Sequence, residues 1–94
     1  MNLSEYINEG AKKAGSLTGL GTMLGIEQRN MTSAKAQRRG LPNDACVRLA
    51  DYIGADRLEV IAANELATEK KPEKRQFWMH LLGEKSGGGL SYIR

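Results

Sequence analysis

The stretch SLTGLGTMLGIEQRNMTSAKAQRRGLP, residues 16–42, decides the fold. It reads as two short helices separated by a glycine turn. Leu17, Leu20 and Leu24 recur at helical spacing behind Ser16, a good N-cap because its side-chain oxygen can accept from an early helical N–H. Gly25 stops this helix, since a residue without a Cβ takes positive φ freely. Gly19 and Gly21 weaken it by roughly 1 kcal/mol each against alanine, so tertiary packing must hold it, and a glycine there permits close backbone approach. The next helix is expected from about Gln28 to Gln37. Met31, Ala34 and the aliphatic stem of Lys35 face inward in this reading, and Arg29, Asn30, Ser33 and Gln37 face outward. Arg39-Gly40-Leu41-Pro42 is a turn, with Pro42 suited to open a further helix near Asn43.

The flanks are helical too. Leu3, Tyr6, Ile7, Gly10, Ala11 and Ala14 lay one apolar face on a first helix from about Asn2 to Ala14, ended by Gly15. Cys46, Leu49, Ala50 and Ile53 form the stripe of a fourth helix that Gly54 stops. Asp56 with Glu59 three residues later resembles a capping box opening a fifth, whose apolar face runs through Leu58, Ile61, Ala62 and Leu66. The run TEKKPEK, residues 68–74, has no apolar member, and Pro72 ends or kinks that helix. A sixth is expected over about Pro72 to Leu82. The segment Ser86-Gly87-Gly88-Gly89 should be a flexible linker to LSYIR. The expected class is all-α, five to six helices, divided into a domain at 1–69, a helical extension at 70–85 and a flexible tail at 86–94.

With 94 residues, 40% of them hydrophobic, 27% charged and only 5% aromatic, the chain suits one aliphatic core. No run nears the roughly 18 apolar residues of a membrane span, and the N-terminal residues lack a basic segment before an apolar one, so a cytoplasmic protein without membrane contact is expected. The single Cys46, at core spacing, is expected to be a reduced, buried thiol. Net charge is +3, but it is unevenly spread. Residues 16–42 carry Arg29, Lys35, Arg38 and Arg39 against Glu27; residues 43–69 carry six acids against Arg48 and Arg57. Residues 70–94 are basic again. Their cluster KKPEKR, residues 70–75, reads either as a charged interhelical loop or as a second phosphate-contacting patch.

A helix that reads DNA must show groups able to bond base edges, such as Arg to guanine and Gln or Asn to adenine, with cations nearby for phosphates. The segment EQRNMTSAKAQRR has that mixture on the second of two helices joined by a tight turn. Charge alone favours the solvated face of an ordinary bundle. From Ser16 to about Ile61, however, the chain resembles the lambda-repressor/Cro-like helix-turn-helix proteins. The resemblance rests on Leu20-Gly21, Leu24-Gly25-Ile26, EQRNMTSAKAQ, the turn RRGLP, and Leu49-Ala50-Asp51-Tyr52-Ile53-Gly54. The chain departs from that pattern at Leu17, where the family commonly has Gln, and at Gly21, where it has Ala. Lys35 or Ala36 stands in place of an acid late in the recognition helix, and the turn to Pro42 is one residue longer.

The resemblance implies a transcriptional regulator of phage or mobile-element origin, repressor-like, acting on double-stranded DNA by occlusion. It places base reading on Gln28, Arg29, Asn30 and Ser33, and phosphate contacts on Thr18, Lys35, Arg38, Arg39 and Asn43. Relatives of this type often bind two half-sites as dimers. The alternative keeps the scaffold and turns its surface on a host or phage protein, as an antitoxin or inhibitor would. Phe77 and Trp78, with Leu81, admit two readings: rings folded back to complete the core, or an interface with a second copy or another partner. His80 is expected to be a packed side chain. Neither catalytic residues, nor a metal site, nor a cofactor is expected: no Cys/His cluster exists, no spacing joins His80 to a nucleophile, and SGGGLS lacks the Lys-Ser/Thr of a phosphate loop.

Overall fold

The computed structural model describes residues 1–83, and these form six helices with no strand among them. They are α1 (Leu3–Ala14), α2 (Leu17–Leu24), α3 (Gln28–Lys35), α4 (Asn43–Ile53), α5 (Arg57–Thr68) and α6 (Pro72–Gly83). The expected tail at 86–94, and the end of the extension expected at 70–85, lie outside the described residues.

Local chemistry sets most boundaries. The Asn2 side chain accepts from the Glu5 N–H at 2.8 Å while the Glu5 carboxylate accepts from the Asn2 N–H at 2.7 Å, a reciprocal cap that opens α1. Ser16 accepts from the Gly19 N–H and Asp56 from the Glu59 N–H, as their spacing predicts. Gly15, Gly25 and Gly54 close α1, α2 and α4 at positive φ.

Helix α1 packs against α2, α3, α4 and α5, and so forms the axis of the core. Leu3, Ile7, Leu20, Leu24, Met31, Cys46, Leu49 and Val60 are its largest fully enclosed side chains. Gly10 permits the closest approach. A Cβ there would stand 2.7 Å from Leu49 Cδ1 and 3.0 Å from both Leu20 methyls, so three helices meet over a bare backbone. Cys46 is buried and free, and burial pushes its thiol up to about 11. Three cations close helix C-termini of other elements, where the carbonyls lack intrahelical donors. Lys13 Nζ donates to Tyr52 O at 2.7 Å, Arg48 Nη1 to Leu24 O at 3.1 Å, and Arg75 Nη1 to Leu66 O at 2.9 Å.

Two apolar faces differ from the sequence reading. Helix α5 buries Val60, Ala62, Ala63 and Asn64, while Leu58 stays exposed and Ile61 and Leu66 are half-buried. The helix is turned by Asn64, whose side chain accepts from the Leu41 N–H and donates to the Leu41 carbonyl. Helix α6 buries nothing in the core, because its main neighbour is α5. Phe77 therefore remains exposed and Trp78 half-buried, which removes the reading in which they complete the core. His80 is likewise exposed instead of packed.

Candidate nucleic-acid interface

The surface of interest grows from the junction of α2 and α3. At its start the Ile26 N–H reaches back to Gly21 O at 2.8 Å and the Gly25 N–H to Thr22 O at 3.2 Å, the paired bonds of a Schellman ending. Gly21 itself is buried, and a Cβ there would meet Ile26 O and Met31 Cγ, each at 2.9 Å. The first contact is backbone and cannot yield cheaply. A glycine thus sets how closely α3 follows α2.

Met31 and Ala34 anchor α3 in the core, as the periodicity predicts. Gln28, Arg29, Thr32 and Lys35 stand exposed; Asn30, Ser33 and Gln37 are half-buried. Lys35 thus points its stem outward, contrary to the sequence reading, because the inward arc is already filled by Met31 and Ala34. Thr32, an exposed hydroxyl one turn beyond Gln28, belongs to the polar mixture read from the sequence but is not among the base-reading positions that the resemblance implies. Its position on the outer arc, four residues after Gln28, was the signal that could have found it. No side chain caps the N-terminus of α3, and its first turn holds no acid.

The helix ends two residues earlier than its pattern suggests. Gln37 takes φ of 60°, with its own N–H on Ala34 O and the Arg38 N–H on Ser33 O, so a non-glycine residue closes the helix in a left-handed conformation. The chain then turns back along the helix. Arg39 Nη1 donates to Asn30 Oδ1 at 2.9 Å, joining the turn to the outer face of α3. Asn64 holds the same turn from below through Leu41, and a Cβ on Gly40 would stand 3.1 Å from Asn64 Oδ1.

Of the residues assigned from sequence, Gln28, Arg29, Asn30, Ser33, Lys35, Arg38 and Arg39 occupy α3 and the turn leaving it. Thr18 is exposed in the first turn of α2 and Asn43 at the start of α4. Among the described residues, no side-chain bond ties either to that cluster. Lys35, Arg38 and Arg39 form no ion pair with a described acid, whereas Arg29 lies 3.5 Å from Glu27 in an exposed pair. Such a pair contributes little and exchanges readily for another anion. The remaining described ion pairs, Asp44 with Arg48 and Asp51 with Arg57, lie on α4 and α5, and the Arg57 guanidinium bonded to Asp51 holds that carboxyl below its usual range.

Among the described residues there is no group of three or more His, Cys, Asp or Glu able to hold a metal ion, and no helix long and apolar enough to cross a membrane. Comparison with protein-family models, curated proteins and solved structures finds no match.

Proposed function

We propose that this chain is a cytoplasmic, sequence-specific DNA-binding regulator that inserts α3 into the major groove and represses by occlusion. The observation that carries the proposal is the Arg39–Asn30 bond, which draws a turn of unpaired cations alongside a polar helix face anchored from beneath by Met31 and Ala34. Gln28 and Arg29, both exposed at the start of α3, are the principal base-reading groups. Asn30 and Ser33 flank them. Asn30 holds Arg39 in place before DNA arrives, which lowers the ordering cost of binding. Lys35 and Arg38 contact phosphates, with Thr18 and Asn43 at the two ends of the surface. A second copy on an adjacent half-site, about 34 Å along the duplex, supplies the affinity one eight-residue helix lacks.

The test is binding to duplex DNA across a range of salt, for the parent chain and for Arg29→Ala. Neutralising roughly three phosphates per chain, through Lys35, Arg38 and Arg39, gives a log–log slope near −2.7. Arg29→Ala is expected to cost about 1–3 kcal/mol on the preferred site and far less on random duplex. Equal loss on both would move Arg29 to the phosphate contacts. Absence of any salt-dependent binding would remove the proposal.

A further inference from the structure

Helix α6 presents apolar surface that nothing in the described structure covers. Phe77 and Met79 keep 56% and 52% of their surface exposed. Phe77 and Trp78 meet edge to face, centroids 5.0 Å apart. Beside them runs an open groove of about 340 Å³ between α5 and α6, lined by Glu65, Glu69, Glu73, Lys74, Phe77 and Trp78. Three carboxylates against one ammonium leave this lining net negative, and among the described residues none of those carboxylates forms an ion pair. Rings that attract cations through their faces, set among carboxylates that pair with them, are suited to a long side chain with an apolar stem and a positive head.

We infer that the α5–α6 groove docks a protein segment presenting Lys or Arg side chains beside an aliphatic one, the chemistry of a basic amphipathic segment. The groove shares no residue with the α3 surface, so the inference stands apart from the DNA-binding proposal. The three carboxylates do not favour a polyanion inside the groove; Lys70, Lys71 and Arg75 lie beside it, outside its lining. A second copy fits poorly, because a two-fold contact centred on the groove sets its negative lining against itself. A basic segment instead pairs with the three lining carboxylates while covering Phe77 and Trp78.

Trp78 is the one tryptophan of the chain, so its emission reports on the groove directly. The full chain is titrated with a capped Arg-Arg-Leu-Leu-Arg-Arg-Leu-Leu peptide and with its Glu-for-Arg counterpart. The expected result is a saturable blue shift with the basic peptide and none with the acidic one. The double variant Glu69→Gln with Glu73→Gln should weaken the midpoint by about tenfold. Phe77→Ala should abolish the shift, and circular dichroism checks that the fold survives; should it not, the glutamine variant carries the test. Three results would overturn the inference: equal response to both peptides, no response up to millimolar peptide, or an emission shift with protein concentration alone and a doubled mass in sedimentation.

Discussion

Leu49→Ala is expected to lower stability by about 2–5 kcal/mol, towards the upper end of that range. Leu49 is fully enclosed and lies over Gly10 of α1 beside Leu20 of α2. The void left by its isobutyl group is floored by a glycine, which has no side chain to move into it, so the site collapses poorly. For a domain stabilised by about 5–15 kcal/mol, such a loss is a large fraction of the total. Urea titration measures it globally. Cys46 measures it again: its buried thiol, shifted to about 11, reacts with an alkylating reagent only when the core opens. Labelling should accelerate by at least about thirtyfold, the equivalent of about 2 kcal/mol. A change below threefold would contradict the packing described.

Asn64→Ala should cost about 2–4 kcal/mol, although no charge and little volume are lost. The Asn64 side chain accepts from the Leu41 N–H at 2.6 Å and donates to the Leu41 carbonyl at 2.8 Å, and both residues are buried. Removing it strands a donor and an acceptor away from water, each costing about 1–3 kcal/mol. Asn64→Asp should not rescue, since a carboxylate faces the Leu41 carbonyl without a proton to donate. The loss has a local signature as well. Arg38 and Arg39 lie just before the pinned Leu41, so trypsin should cut there faster in the variant under native conditions. Unchanged urea stability together with unchanged cutting would show that Asn64 does not hold the turn.

The helices were legible because their ends carry explicit chemistry: Asn2, Ser16 and Asp56 at the starts, Gly15, Gly25 and Gly54 at the stops. Leu3, Tyr6, Ile7 and Gly10 of α1 and Cys46, Leu49 and Ala50 of α4 are buried as their spacing predicts, whereas Ala11, Ala14 and Ile53 at the ends of those stripes are only half-buried and Ala45 is buried beside them. Helix α5 was misread at Leu58 because its rotation is set by a polar residue, and Asn64 looks like surface until Leu41 is known to lie above it. Helix α6 was half-read. Its rings are large enough for a core, but their position depends on which neighbours α6 meets, a long-range fact that periodicity does not carry. The same limit applies to the candidate surface. The polar arc of α3 was visible in Gln28 and Arg29, whereas the left-handed Gln37 and the return of Arg39 onto Asn30 depend on a turn whose direction is fixed from α5.

The stability of the turn and the DNA-binding proposal are linked through Asn64, because the same residue that holds Leu41 holds the path that presents Arg38 and Arg39. Loss of DNA affinity in the Asn64→Ala variant at a temperature where it remains folded would follow from this link. The central claim is that α3 and its returning turn read a DNA sequence. The most direct measurement is retention of duplexes from a randomised pool by the purified chain at moderate salt, followed by sequencing of what is held. Enrichment of one motif, repeated as an inverted pair about one helical turn apart, is the predicted result. A folded, monodisperse protein that enriches no motif would contradict it and leave the α5–α6 groove as the working surface of the molecule.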